Sequence, residues 1–109
     1  MERINYAQLI QQILTEHSVN HYQNNTEIQL IFDEKRHHYQ VLNIGWKEET
    51  RVYGVIIHLD LKDEKIWIQR DGTEIGIANQ LLMAGVPQED IVLGFLAPYK
   101  RNLTEFAVS

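Results

Sequence analysis

At 109 residues, 44% of them hydrophobic and 9% aromatic, the chain is the length of one domain and has the material for one core, which argues against disorder. It has no cysteine, so disulfides, thiol nucleophiles and Cys-based zinc sites are excluded. Fifteen acidic residues against ten basic ones give a formal charge of −5, which offers no general attraction to nucleic acid.

The opening Met1-Glu2-Arg3-Ile4-Asn5-Tyr6 has no apolar core behind a basic flank, so no secretory leader is expected. No apolar run approaches the roughly 20 residues that span a bilayer, so no membrane partner is expected and a cytoplasmic location is. Residues 3 to about 17 read as an amphipathic helix, with Tyr6, Leu9, Ile10, Ile13, Leu14 and His17 on one stripe. Turn formers from Ser18 to Thr26 are expected to end it.

Four segments rich in β-branched and aromatic residues follow: Glu27–Asp33, His38–Trp46, Arg51–Leu61 and Lys65–Arg70. The polar spacers between them are short, which predicts consecutive hairpins and an antiparallel meander. A two-residue turn at Asp63-Glu64 sets Leu61 opposite Ile66, Leu59 opposite Ile68, Asp60 opposite Trp67 and His58 opposite Gln69. A turn at Glu48-Glu49 sets Ile44 opposite Tyr53 and Leu42 opposite Val55. Strict alternation then puts Leu42, Ile44, Leu59 and Leu61 on one face. Ile28, Leu30, Phe32, Tyr39, Val41 and Ile56 fall on the other, beside His58, Asp60 and Gln69.

Asp71-Gly72-Thr73-Glu74 has the spacing of a capping box opening a second helix, with Ile75, Ala78, Leu81 and Leu82 as its apolar side. Gly85 suits the C′ position and Pro87 blocks continuation. Residues 91–95 read as a short strand or a packed irregular segment, and the tail Phe106-Ala107-Val108 as a docked end or an edge strand. The predicted fold class is α+β: an antiparallel meander of about four strands packed with an N-terminal helix and a later one, in a single domain over residues 1–109. Its open edges predict a homo-oligomer.

Few residues suggest chemistry. His37 and His38 are adjacent, so their side chains point to opposite faces and do not grip one metal. His17 and His21 would need helix through Val19-Asn20. No metal or cofactor is expected. His58, Asp60, Gln69 and Trp67 share a face, and a His–Asp pair suits a base with its orienter. No Ser, Thr or Cys stands beside them as nucleophile, so we read a polar network on a half-covered face. Asp60, Asp71 and Glu74 as a Mg²⁺ nuclease or phosphoesterase cluster is an alternative, opposed by Lys62 and Lys65 lying at the far end of the hairpin. A dimeric DNA-binding accessory is the other alternative, although Lys35-Arg36 and Lys100-Arg101 make a small footprint. Gly72 and Gly76 do not form a phosphate loop. Phe95, Pro98, Tyr99, Lys100 and Arg101 join apolar anchors to cations, as a partner-binding surface does. The same residues also suit an ordinary loop whose tyrosine covers the core edge.

The run Ile66-Trp67-Ile68-Gln69-Arg70-Asp71-Gly72-Thr73-Glu74-Ile75-Gly76-Ile77-Ala78, then Gly85-Val86-Pro87-Gln88-Glu89-Asp90-Ile91-Val92-Leu93-Gly94-Phe95, resembles the XisI family. Pro98-Tyr99, the ending Thr104-Glu105-Phe106-Ala107-Val108, and upstream Gln29–Asp33, His38-Tyr39-Gln40, Gly45-Trp46 and Arg51–Gly54 extend the likeness over nearly the whole chain. Leu96-Ala97, where a polar residue or second proline is expected, departs from it. The resemblance implies a cyanobacterial factor controlling excision of the fdxN type of DNA element during heterocyst differentiation. It implies a companion XisH-like protein and a separate recombinase as partners, and it brings no catalytic residues. The expectation is therefore a regulatory binding protein and not an enzyme.

Overall fold

A computed structural model describes residues 4–20, 26–74 and 76–109. Helix α1 spans Tyr6–Asn20, followed by strands β1 (Thr26–Asp33), β2 (His38–Lys47), β3 (Thr50–Lys62) and β4 (Lys65–Asp71). Helix α2 covers Ile77–Met83, and after one 3₁₀ turn at Gln88–Asp90 come β5 (Ile91–Leu93) and the single turn α3 (Pro98–Arg101). The five strands lie in sequence order. The first four are antiparallel, and β5 runs parallel to β4. The fold class is α+β as predicted, with the short 91–93 segment as a fifth strand. No helix among the described residues is long and apolar enough to cross a membrane.

Helix α1 starts later than its periodicity suggested because Asn5 caps it, its Oδ1 accepting the Gln8 N–H at 3.1 Å. It also runs further, to Asn20. Ser18 there donates its hydroxyl to the Thr15 carbonyl, a local bond compatible with helix. Arg3, placed in this helix by the sequence reading, lies outside the described residues, as does His21, whose pairing with His17 the sequence reading disfavoured. Ile10, Ile13 and Leu14 bury the stripe against the sheet.

The hairpins follow from their turns. Asp33 Oδ1 accepts the N–H groups of Lys35 and Arg36 at 3.1 Å each, closing the first loop. Those backbone bonds, with the Arg36 guanidinium beside it, hold the Asp33 carboxyl below its usual range. Lys62 faces Lys65 across Asp63-Glu64, both at positive φ, as a type I′ hairpin turn demands.

The pairs Leu61–Ile66, Leu59–Ile68, Asp60–Trp67, Ile44–Tyr53 and Leu42–Val55 form as expected. Two bulges overturn the rest of the face assignment. The register shifts between Val41 and Leu42, so Ile56 is the extra residue on β3 and Val41 meets Ile57 while Tyr39 meets Leu59. Tyr39, Val41, Ile57 and Leu59, assigned to opposite faces by strict alternation, thus lie on one face and are fully buried. Leu30 and Phe32 pair with Val41 and Tyr39 and join that face. A second shift between His58 and Leu59 makes Gln69 the extra residue on β4, so His58 faces Arg70 in place of the expected Gln69.

The second bulge turns Asp71 toward the helix side. Its Oδ2 accepts the Ile77 N–H at 2.8 Å and its Oδ1 accepts from the Thr73 N–H and hydroxyl. The Thr73 hydroxyl accepts the Gly76 N–H at 3.0 Å. Asp71 and Thr73 therefore cap α2, but not as the box expected. The helix starts at Ile77, so Glu74 is exposed in the preceding loop and not three residues into the helix. Ile75 lies outside the described residues. Gly72 donates its N–H to the carbonyl of the bulged Ile56 at 2.8 Å. Gly85 stands at C′ with φ +100°, its N–H bonded to Leu82 O and that of Val86 to Leu81 O, a Schellman closure. Pro87 then opens the 3₁₀ turn in extended conformation. Ile77 and Leu81 complete the core under β4.

Candidate functional site: the open sheet face and its carboxyl-terminal hook

Both longer helices pack on one face of the sheet. The other face carries side chains of β2, β3 and β4 that alternate away from the core. At its centre Asp60 is the acceptor for three neighbours. Its Oδ1 lies 2.8 Å from His38 Nδ1 and 2.8 Å from His58 Nε2. Its Oδ2 accepts the Gln69 amide at 3.2 Å. The Gln40 amide stands 3.5 Å from the remaining nitrogen of His58. The two imidazoles meet edge to face at 6.3 Å. Burial pushes the Asp60 carboxyl up, but hydrogen bonds from His38 and His58, the His58 charge and the Gln69 amide outweigh it and leave the group lowered.

His58, Asp60 and Gln69 were legible as a same-face polar network. His38 was missed. It reaches Asp60 because the β2–β3 bulge shifts the pairing by one residue, to His38 opposite Asp60. The run Val55-Ile56-Ile57 gives no sign of which of its residues is extra. Asp71 has its carboxylate committed to the α2 side and does not join Asp60. The Asp60–Asp71–Glu74 metal cluster of the nuclease alternative is therefore not assembled. Among the described residues, the group of potential ligands that does converge is His38, His58 and Asp60.

Trp67, beside Asp60, has Lys62 Nζ 4.8 Å and Arg101 Cζ 5.3 Å from its ring centroid. Arg101 fastens the carboxyl-terminal segment over this end of the sheet. Its Nε donates to the carbonyls of Leu96 at 3.1 Å and Leu93 at 3.3 Å. Its terminal nitrogens reach Gly94 O and Val108 O, each at 3.4 Å. Arg101, one of the residues expected to face a partner, thus also binds its own chain through Nε and both terminal nitrogens. Gly94 lies close to Gln69, and a Cβ there would come within 2.7 Å of Gln69 Oε1 and 3.2 Å of Ile68 O, so the glutamine side chain would have to shift. The Phe95 N–H bonds Ile68 O at 3.1 Å, and the tail docks beside β5 through one isolated parallel bridge, Ala107 to Val92, with the Ala107 N–H on Ile91 O.

The result is a tethered hook whose outer side is apolar. Phe95 is 52% exposed, Tyr99 72% and Leu103 85%. Pro98 and Lys100 are exposed beside them, Lys100 Nζ lying 5.9 Å from the Tyr99 ring. Leu103 was not singled out from sequence, since its exposure follows from α3 ending after one turn. A separate groove of about 800 Å³ lies between the start of α1 and the β3–β4 turn, lined by Tyr6, Leu61, Asp63, Lys65 and Asp90 among others. The Tyr6 hydroxyl donates to Asp90 across it.

These features define a small α+β domain with one helix-covered sheet face, one open face with a polar cluster at Asp60, and an apolar hook at the carboxyl end. The XisI protein family matches residues 1–108, and the chain belongs to that family. Among solved structures, it is similar to a XisI-like protein from Anabaena variabilis ATCC 29413, with a TM-score of 0.90 and 45% identity, covering 95% of this chain and 96% of that one. It is also similar to the fdxN element excision controlling factor XisI from Anabaena variabilis ATCC 29413, with a TM-score of 0.82 and 40% identity over 95% of this chain and 96% of that one. No protein of curated function matches it.

Proposed function

We propose that this chain is a non-catalytic controlling factor for excision of a DNA element, and that it works in the cytoplasm by docking a protein partner on its carboxyl-terminal hook. Membership of the XisI family and 40% identity to a protein described as an excision controlling factor support the process. The observation that carries the docking surface is the exposure of Phe95, Tyr99 and Leu103 on a segment tethered by Arg101 hydrogen bonds. Large apolar side chains on a tethered backbone lose less entropy on binding, which is what interface anchors need. The partner we assign is an XisH-like protein, with the element's recombinase as a separate component that exchanges strands. Direct DNA binding finds less support: of the two basic pairs, Arg36 is bridged to Asp33 and Arg101 is turned inward.

The test is coexpression of the tagged chain with an XisH-like protein, followed by titration of the purified pair. The wild type is expected to co-elute with it. Phe95→Ala with Tyr99→Ala is expected to weaken the pair at least tenfold, about 1.4 kcal/mol or more, with an unchanged circular dichroism spectrum. A wild type that fails to associate would remove the assigned partner. A folded double variant that binds normally would remove the surface.

A further inference from the structure

We propose that His38, His58 and Asp60 form a binding site for a divalent transition-metal ion of the zinc type on the open face of the sheet. One potential ligand atom from each of the three lies within 4.8 Å of those of the other two. Two come from imidazole and one from carboxylate. That set suits zinc and its neighbours, whereas magnesium and calcium take oxygen ligands. In tetrahedral zinc with bonds near 2.0–2.1 Å, ligand atoms stand about 3.3 Å apart. The present 2.8 Å contacts from Asp60 Oδ1 to each imidazole need to open by about half an ångström, and the two imidazole nitrogens, within 4.8 Å of each other, to settle at the same spacing, to admit the ion.

The surroundings are those of a supported site. Metal-binding imidazoles commonly hold their second nitrogen with a hydrogen-bonding side chain, and ligating carboxylates are themselves hydrogen-bonded. His58 presents Nε2 to the cluster while its Nδ1 faces the Gln40 amide, which on turning over offers its oxygen to an Nδ1–H. Asp60 directs Oδ1 to the cluster while Oδ2 is held by Gln69. Gln69 in turn lies beside Gly94. All three ligands sit on β2 and β3, the second and third strands of a five-stranded sheet, and not on a loop. The His38 side chain is 51% exposed, so the site opens to solvent. An ion held by three protein ligands there keeps a fourth position for water or for a side chain brought by another molecule.

The experiment uses the full chain after EDTA treatment and dialysis. Zn²⁺ is titrated by calorimetry, Co²⁺ serves as the absorbing probe, and Mg²⁺ is the comparison. One Zn²⁺ per chain is expected, together with Co²⁺ ligand-field bands and a melting temperature raised by Zn²⁺ but not by Mg²⁺. His38→Ala and Asp60→Asn should each lower Zn²⁺ affinity at least tenfold, while His37→Ala, the adjacent imidazole outside the cluster, leaves it unchanged. His38 is at the surface, so its variant reports on the site even if Asp60→Asn perturbs folding. Absence of Zn²⁺ heat and of Co²⁺ bands in the wild type would overturn the site. So would affinity that survives His38→Ala in a folded protein.

Discussion

Arg101 and Tyr99 stand two residues apart and have opposite fates. The guanidinium is spread over the carbonyls of Leu93, Gly94, Leu96 and Val108 and lies near Trp67, whereas the phenol stands in solvent. An arginine in a basic-aromatic run reads as an interface cation in the sequence, since residue type alone does not tell which carbonyls will come within reach. Removing Arg101 leaves several carbonyls at the hook with fewer donors and releases the tail. Arg101→Ala is therefore expected to lower stability by about 2 kcal/mol. Tyr99→Ala should change it by less than about 0.5 kcal/mol. Urea unfolding of the two variants separates them, and equal losses would mean that Tyr99 is also structural.

The β3–β4 hairpin shows what an element's ends decide. Its two-residue turn was legible because Asp63-Glu64 is the polar break between two apolar runs, and the registers nearest the turn formed as read. Both turn residues adopt positive φ, 54° at Asp63 and 64° at Glu64. A glutamate side chain is disfavoured there, by roughly 1 kcal/mol, while glycine suits the second position of such a turn. Glu64→Gly should thus stabilise the protein by about 1 kcal/mol and raise Tm by roughly 4–8 °C for a domain of this size. Calorimetric melting checks it, and a lowered Tm would mean that Glu64 makes a compensating interaction. The helices were less legible at their ends than in their faces. Asn5 and Asp71 both cap with side-chain oxygens, but Asp71 does so from six residues away through a loop, a spacing that no short motif encodes.

For the molecule as a whole, strand order and the helix-covered core follow from short turns and apolar alternation, and both were readable. The partition of the two faces was not, because a bulge moves one residue out of phase without any distinctive residue to mark it. The candidate metal site depends on that offset, so His38 came into it only with the structure. Self-association belongs to this scale as well. β1 is an outer strand of the sheet, and Ile31 on it is 46% exposed. Pairing of two copies along β1 would cover both. The wild type should then sediment as a dimer at high micromolar concentration, and Ile31→Lys should shift it to the monomer. A monomeric wild type would assign the β1 edge no such role.

The extra residue at Ile56 has a consequence for how the chain tolerates change. Leu42 faces Val55 and Val41 faces Ile57, so Ile56 is the one letter between them with no counterpart on β2. Losing it would join the flanking residues into a regular ladder, with Ile57 and Leu59 still toward the core and His58 and Asp60 still on the open face. What would be lost is the carbonyl that receives the Gly72 N–H. Losing Leu59 instead would carry His58 into a core position, because no spare residue lies next to it. Deletion of Ile56 should therefore cost less stability than deletion of Leu59, as a spacer is easier to drop from a line than a letter of a word.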